Sequence, residues 1–170
     1  MKRLFIFAAI ILFICAVVVV GFSHLATRPT PSDVDQIAYN EQEITLTTDD
    51  DIRISASFFP AGEADAPVIL MLHGNGASRN QFRSHIPWLN EAGYAAMAID
   101  FRGHGESQDQ AKSFGLFEAR DAQAAVKWIK TTMPGAKVGV IGVSLGGAAA
   151  LLPEGGPLPV DAMILKAVYP

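Results

Sequence analysis

The chain opens with one long apolar run, and shorter apolar runs recur behind it. Residues 4–22 form an unbroken apolar stretch of about 19 positions, which as a helix would span about 30 Å, the thickness of a bilayer's hydrocarbon core. A cleaved signal peptide usually has a shorter apolar stretch and a small-residue cleavage site, and neither feature fits here. We predict an uncleaved signal-anchor transmembrane helix over residues 1–26, with cleavage and secretion as the alternative.

Charges at the two ends of this run predict its orientation. Lys2, Arg3 and the N-terminal amine outweigh Arg28, so the positive-inside bias places the N-terminus in the cytoplasm and the rest of the chain outside it. Residues 27–40 contain prolines and aspartates and few large apolar side chains, a composition typical of an extended tether. The globular domain is then predicted to occupy residues 41–170.

Within this domain, the hydrophobic pattern is typical of strands. Residues 43–47 and 52–59 alternate apolar with polar or small side chains, and the aspartates at 49–51 supply turn chemistry, which predicts an antiparallel hairpin. Continuous apolar runs suit strands that are buried on both faces. Such runs recur at residues 68–72, 94–99, 138–141 and 162–168.

Two segments between the apolar runs have helical spacing, residues 78–91 and residues 113–132. Pro87 should kink or interrupt the first helix, and Ser113 can cap the start of the second. The predicted buried face of the second helix consists of Phe117, Ala124, Ala125 and Trp128. Strands that alternate with helices of this length predict an α/β fold, with a mainly parallel sheet covered by helices on both faces.

Composition argues against several classes of function. The chain is slightly acidic, with 17 Asp plus Glu against 13 Lys plus Arg, and no block of consecutive basic residues follows the apolar run, so we expect no nucleic-acid partner. Cys15 is the single cysteine and lies inside the apolar run, which provides no disulfide framework. No cluster of His, Asp or Cys has the spacing of metal ligands, and we predict neither a metal nor another cofactor.

The strongest chemical signal is a G-x-S-x-G motif made of Gly142, Val143, Ser144, Leu145 and Gly146. It follows an apolar strand and precedes an alanine-rich helical segment. Such a sharp turn strains the serine backbone and leaves no room for side chains at the two glycines. We predict that Ser144 is a nucleophile and that the Leu145 backbone N–H stabilises an oxyanion. A serine in an ordinary turn is the alternative.

A second motif, His73, Gly74, Asn75 and Gly76, follows the third predicted strand. Its glycines allow a tight loop, and the Asn75 backbone N–H is the predicted second oxyanion donor. His73 closes the strand and is interpreted as structural.

A third motif, D-F-R-G-H-G-E-S, occupies residues 100–107 after the fourth strand. The glycine pairs of this motif and of H-G-N-G also leave a dinucleotide-binding loop as an alternative, because each pair follows a strand. Arg79 and Gln108 stand where the third glycine of such a loop would be, which argues against a nucleotide.

The order of the hairpin, H-G-N-G, D-F-R-G-H-G-E-S and G-V-S-L-G-G resembles the α/β-hydrolase superfamily over residues 41–170. The esterase, lysophospholipase and acylglycerol-lipase-like branches are the most similar. This resemblance implies a serine hydrolase that cleaves carboxylic ester or related acyl bonds through an acyl-enzyme, acting on small-molecule acyl or lipid-like substrates. It also implies that Asp100, Arg102 and His104 mainly brace the fold.

One feature departs from this superfamily, in which the catalytic acid and histidine follow the serine. All four histidines, His24, His73, His85 and His104, precede Ser144. We therefore expect a truncation after the sixth strand, with the acid and the histidine beyond residue 170 and no activity in residues 1–170 alone. A membrane-tethered binding protein that kept the fold and lost catalysis is the alternative function. The sequence predicts no oligomeric state.

Overall fold

A computed structural model describes residues 2–35 and 40–168 of the chain. The predictions that concern residues 1, 36–39 and 169–170 lie outside the described residues. The first element is a long helix, α1 (Lys2–Ala26), whose side chains are exposed from residue 5 to residue 25. Its segment Phe5–Ala26 is long and apolar enough to cross a membrane, a property that membrane anchors and signal sequences share.

Six strands form the central sheet. They are β1 (Gln42–Thr47), β2 (Arg53–Phe59), β3 (Val68–Leu72), β4 (Ala95–Ile99), β5 (Val138–Val143) and β6 (Ala162–Lys166). Their spatial order is β1-β2-β4-β3-β5-β6. The pairs β1–β2 and β2–β4 are antiparallel, and the other three pairs are parallel. The predicted hairpin and the mainly parallel sheet are therefore confirmed.

The register of the sheet brings the three motifs together. Leu72 at the end of β3 pairs with Ile99 at the end of β4 and with Gly142 near the end of β5. Because the three parallel strands end level, the loops that follow them leave from the same edge of the sheet. This edge is where open α/β sheets bind ligands.

The helices differ in extent from their predictions. Residues 78–91 form a 3-10 turn (Arg79–Phe82) and a separate helix, α2 (Ile86–Glu91), instead of one helix. Pro87 lies in the first turn of α2, where the missing N–H is tolerated, so it marks a helix start and not a kink. The next helices are α3 (Glu118–Thr132) and α4 (Leu145–Leu151).

The predicted start of α3 was five residues too early. Ser113 does not cap the helix directly, because the N-cap residue is Phe117. The Ser113 hydroxyl instead accepts the Phe117 N–H at 2.7 Å and donates to the Glu118 carboxylate at 2.5 Å. The predicted buried face also included Phe117, whose ring is exposed, whereas the fully buried apolar positions of α3 are Ala122, Ala125 and Ile129.

Apolar cores cover both faces of the sheet. Leu70 of β3 belongs to a core with α3 and α4, whereas its neighbour Met71 packs with Phe82 and Ile86 on the opposite face. This alternation follows from the period of two in a strand. Burial on both faces is confirmed for β3 and β4, whereas exposed and half-buried residues alternate in β6, at the edge of the described sheet.

The segment between α1 and the sheet is bound to the domain. The Thr27 carbonyl accepts the Lys112 N–H at 2.9 Å, and the Thr30 N–H donates to the Gly103 carbonyl at 2.7 Å. Thr30–Pro31 pairs in parallel with His104–Gly105. The sequence did not predict these backbone contacts. They connect the end of α1 directly to the loop that carries the third motif.

Candidate active site

Ser144 lies between β5 and α4 in a strained conformation. Its φ of 51° and ψ of −111° are unusual for a residue with a side chain. The Ser144 N–H donates to the Lys166 carbonyl of β6 at 2.8 Å, and the Ser144 carbonyl accepts the Ala148 N–H of α4 at 3.0 Å. Strand and helix bonds therefore fix this residue from both sides. The strand, sharp turn and helix predicted for the G-x-S-x-G motif are all present.

Steric contacts explain the two glycines that flank the serine. A Cβ added to Gly146 would lie 2.1 Å from the Leu72 carbonyl oxygen of β3. One added to Gly142 would lie 2.9 Å from the Gly146 carbonyl oxygen. Both clashes are with backbone atoms, which cannot rotate away. The spacing of the motif thus has the steric cause that the sequence predicts.

Neighbouring glycines of this turn allow a matched test. Gly146→Ala should lower the free energy of unfolding by about 2 to 3 kcal/mol, because its methyl group meets the β3 backbone. Gly147→Ala should cost less than Gly146→Ala, because its methyl group meets a side-chain atom, the Val168 Cγ2 at 2.2 Å, which moves more readily than a strand backbone, and alanine favours the helix. Chemical denaturation of the two variants measures the difference. Equal losses would contradict the steric explanation.

The H-G-N-G loop lies against this serine. A Cβ on Gly74 would be 3.8 Å from the Ser144 Cβ and 3.7 Å from the Val143 carbonyl oxygen. The Gly74 N–H donates to the Gln81 side chain at 3.0 Å, which fixes the loop on the 3-10 turn. Gly76 has a φ of 76°, a conformation that favours glycine. The fold therefore brings the predicted oxyanion loop and the predicted nucleophile together.

His73 is buried, and its ring holds the base of this loop. The His73 Nδ1 donates to the Gly74 carbonyl at 2.8 Å, and its Nε2 accepts the Phe101 N–H at 3.0 Å. These two bonds require the neutral ring, with the proton on Nδ1. Burial lowers the pKa of His73 to about 3, which keeps the ring neutral. The structural interpretation of His73 agrees with this geometry.

His104 connects the third motif to the oxyanion loop. Its Nδ1 lies 3.0 Å from the Arg102 carbonyl oxygen, and its Nε2 lies 3.3 Å from the side-chain amide of Asn75. A carbonyl only accepts, so Nδ1 carries the proton, and burial lowers the pKa of His104 and keeps the ring neutral. The Nε2 atom is then an acceptor, and since the Asn75 atom at 3.3 Å is Oδ1, the amide oxygen and nitrogen must exchange places for this pair to form a hydrogen bond.

Asp100 and Arg79 form a buried ion pair behind the loop. The Asp100 carboxylate accepts the Arg79 backbone N–H at 2.6 Å and a guanidinium N–H of the same residue. The guanidinium also donates to the Ser57 hydroxyl at 2.9 Å and to the Glu106 carboxylate at 2.6 Å. These bonds join the 3-10 turn to β2 and to the third motif. The sequence pattern did not indicate that Arg79 would join these elements.

Arg102 forms a second buried network. It donates to Asp121 of α3 through its backbone N–H at 2.9 Å and its Nε at 2.9 Å, and to Asp50 of the β1–β2 turn at 2.7 and 2.9 Å. Asp100, Arg102 and His104 therefore brace the fold, as the resemblance implies. The network depends on residues far apart in sequence.

The glycines of the third motif are explained by packing. A Cβ on Gly103 would lie 2.2 Å from the Gln110 carbonyl oxygen, and one on Gly105 would lie 2.2 Å from the Asp100 Cγ. Both sites are filled by protein atoms, so these glycines do not leave a cradle for a pyrophosphate. Within the described residues, no group of three or more His, Cys, Asp or Glu side chains could hold a metal ion.

A family model described as alpha/beta hydrolase fold matches residues 67–168. The chain belongs to the alpha/beta hydrolase fold family. This match includes all three motifs at the carboxyl edge of the sheet. It confirms the fold class and the family that the order of those motifs predicts.

Among curated proteins, the chain is similar to the magnesium-chelatase 30 kDa subunit of Rhodobacter capsulatus. The two are 46% identical over 92 residues, which are 53% of this chain and 31% of the relative. The human protein ABHD12B is 33% identical over 112 residues, which are 61% of this chain and 30% of that relative. The chain thus spans about a third of the length of these two relatives.

Solved structures of the family include the esterase Pf2001 of Pyrococcus furiosus. That protein is 30% identical, with a TM-score of 0.65, and the match covers 72% of this chain and 51% of the esterase. The described domain therefore has the architecture of about half of a solved α/β-hydrolase.

Proposed function

We propose that the protein is a serine hydrolase that cleaves carboxylic ester or related acyl bonds, with Ser144 as its nucleophile. The position of Ser144 carries this proposal: a strained serine between β5 and α4, with the H-G-N-G loop against it. The similarity to the esterase Pf2001 gives independent support. An anchor at the membrane favours lipid-like acyl substrates.

The proposed reaction is acyl transfer to the serine hydroxyl. The Ser144 Oγ attacks the carbonyl carbon of the ester, a C–O bond forms, and the carbonyl electron pair moves to the oxygen. The backbone N–H groups of Leu145 and Asn75 donate to this oxyanion. A histidine takes the hydroxyl proton; when the oxyanion re-forms the carbonyl, the bond from the acyl carbon to the leaving oxygen breaks, and the histidine gives that proton to the leaving oxygen, which departs as an alcohol. Water then hydrolyses the acyl-enzyme and regenerates the serine.

The two buried histidines are unsuitable as this base. His73 and His104 each use both ring nitrogens in hydrogen bonds, and burial lowers the pKa of both rings. We propose that the histidine and its acid come from sequence that follows residue 170. The half-length match to the esterase Pf2001 leaves room for such a segment.

A covalent probe tests the nucleophile directly. The protein with its native downstream sequence should react with a fluorophosphonate, and mass spectrometry of the digest should locate the adduct on Ser144. Ser84 is an internal control, because its exposed hydroxyl lies 3.4 Å from the His85 Nδ1 but has no strand-to-helix turn behind it. An adduct on Ser84 would contradict the assignment. No adduct at all would favour a binding protein that lost catalysis.

We also propose that α1 anchors the protein with its N-terminus in the cytoplasm and the domain of residues 41–170 outside it. The apolar segment Phe5–Ala26 and the charges of Lys2 and Arg3 support this orientation. A protease added to intact cells or spheroplasts should digest the domain. Protection until lysis would reverse the orientation, and a soluble protein lacking α1 would establish a cleaved signal peptide.

A further inference from the structure

Large apolar side chains are exposed in the segment that leads into α3. Phe114, Leu116 and Phe117 have 47%, 60% and 47% of their surface exposed. Leu152, which follows α4, is 49% exposed and lies beside them, since a Cβ on Gly115 would be 3.2 Å from its Cδ1. Phe114, Leu116, Phe117 and Leu152 are called the apolar patch below. Three of them line a groove of about 560 Å³.

The apolar patch lies close to the end of α1. The Thr27 carbonyl, one residue after α1, accepts the Lys112 N–H at 2.9 Å. Phe114 is two residues from Lys112, and consecutive Cα atoms are about 3.8 Å apart, so their Cα atoms are within about 8 Å. The loop that carries the patch therefore starts where the apolar helix ends.

The length of α1 places this loop at a membrane surface. The 22 residues of Phe5–Ala26 rise about 33 Å, slightly more than a hydrocarbon core of about 30 Å. When α1 spans a bilayer, Thr27 lies at the boundary of that core. The Lys112 backbone, bonded to Thr27, therefore lies at the headgroup layer, which is about 5 to 8 Å thick, and Phe114 follows two residues later.

Phe114 is partly exposed and has a strained backbone conformation. Phe114 has a φ of 57°, which for a bulky side chain costs about 1 to 2 kcal/mol. Core packing does not offset this strain, since almost half of the side chain is exposed. Gly115 completes the turn with a φ of 112° and fits tightly against Ala148 of α4. The strained turn holds a half-exposed aromatic ring two residues after Lys112, whose N–H donates to the Thr27 carbonyl just after α1.

We infer that the apolar patch inserts into the surface of the bilayer that α1 spans. Its side chains would bury their exposed surface at the boundary of the acyl chains, as the apolar face of an interfacial helix does. With α1 and the patch as two attachments, the domain would hold one orientation on the membrane. This inference rests on α1 being a membrane anchor and is independent of the hydrolase activity.

Site-specific fluorescence on the full-length protein tests the inference. Cys15 is the single cysteine and lies in α1, so a polarity-sensitive NBD label on it reports on the anchor. Two further variants carry Cys15→Ser, one with Leu116→Cys in the patch and one with Glu91→Cys at the exposed end of α2 as control. Each is inserted into phosphatidylcholine–phosphatidylglycerol vesicles with or without lipids that carry a nitroxide quencher near the headgroup.

The label at position 116 should have blue-shifted emission and should lose at least half of it to the headgroup quencher, whereas the label at position 15, about 15 Å from either end of the span, should have blue-shifted emission with little quenching. The label at position 91 should have water-like emission without quenching. Blue-shifted but unquenched emission at position 116 would overturn the inference, because protein would then cover the patch. Water-like emission there would overturn it as well. Water-like emission at position 15 would refute the anchor itself. A variant with Leu152→Cys in place of Leu116→Cys repeats the measurement at a second patch position.

Discussion

Ser144→Ala should lower the rate of ester hydrolysis about a million-fold in the protein with its native downstream sequence. Removing the nucleophile of a serine hydrolase costs nearly as much as removing the whole triad, because its members act as a unit. Alanine at a φ of 51° has about the same backbone strain as serine, so the unfolding midpoint should not change. Turnover of a short-chain nitrophenyl ester measures the loss.

The matched control for this variant is Ser84→Ala. Ser84 is exposed, and its hydroxyl lies 3.4 Å from the His85 Nδ1, so it shares with a catalytic serine the proximity to a histidine. It lacks the strained turn, the helix start and the glycine loop that surround Ser144. The Ser84 variant should retain full activity. Retention of more than about a hundredth of the activity by Ser144→Ala would contradict the assignment of the nucleophile.

The sequence predicted the strands well because of how they are buried. The predicted apolar run, residues 68–72, has the same bounds as β3. The pattern is clear because a strand covered on both faces excludes polar side chains. The G-x-S-x-G motif was equally clear, because the clashes at Gly142 and Gly146 are local to one turn. Short-range sterics leave a readable pattern in the sequence.

Contacts between distant residues left no such pattern. Asp121 lies inside the predicted helix of residues 113–132, and nothing in that local pattern indicated that it binds the Arg102 side chain. Asn75 was predicted to act through its backbone alone, but its side chain also contacts His104. Residues 27–35 looked like a tether because backbone pairing with residues 103–112 depends on no particular side chain.

The boundaries of helices were the other weakness. A proline inside an apolar periodicity suggests a kink, but Pro87 is also suited to a first helical turn. The same residues are compatible with one interrupted helix or with a 3-10 turn and a second helix. Phe82 and Ile86 pack in the same core as Met71. Either helix arrangement is compatible with that packing, so the apolar spacing does not distinguish one interrupted helix from a 3-10 turn followed by a second helix.

Arg102→Leu should destabilise the protein by about 3 to 5 kcal/mol, although Arg102 lies outside the proposed catalytic machinery. Its guanidinium is almost fully buried between Asp121, which is completely buried, and Asp50. Leucine fills similar space but has no side-chain donor. Residue 102 would then donate to the Asp121 carboxylate through its backbone N–H alone. A buried charge without its partner is the main cost of breaking such a pair.

The control for this substitution is Arg120, a partly exposed arginine that pairs with the same β1–β2 turn. Arg120 lies 3.6 Å from Asp49 and 3.9 Å from Asp50, and these pairs are open to solvent. Exposed pairs contribute little, so Arg120→Leu should cost less than about 1 kcal/mol. Denaturant titration of detergent-solubilised protein compares the two variants. Similar losses would contradict a special role for the buried network.

The loss in Arg102→Leu should also depend on pH. Burial raises the pKa of Asp121 from 3.8 to about 7, and Arg102 opposes this rise. Without Arg102 the pKa rises further, so the folded variant binds a proton that the unfolded chain releases above about pH 4. Stability of the variant should therefore increase as the pH falls from 8 to 6, relative to the wild type. Adding Asp121→Asn should remove this pH dependence and restore part of the stability. A loss that is equal at both pH values would show that Asp121 is not the group left without its partner.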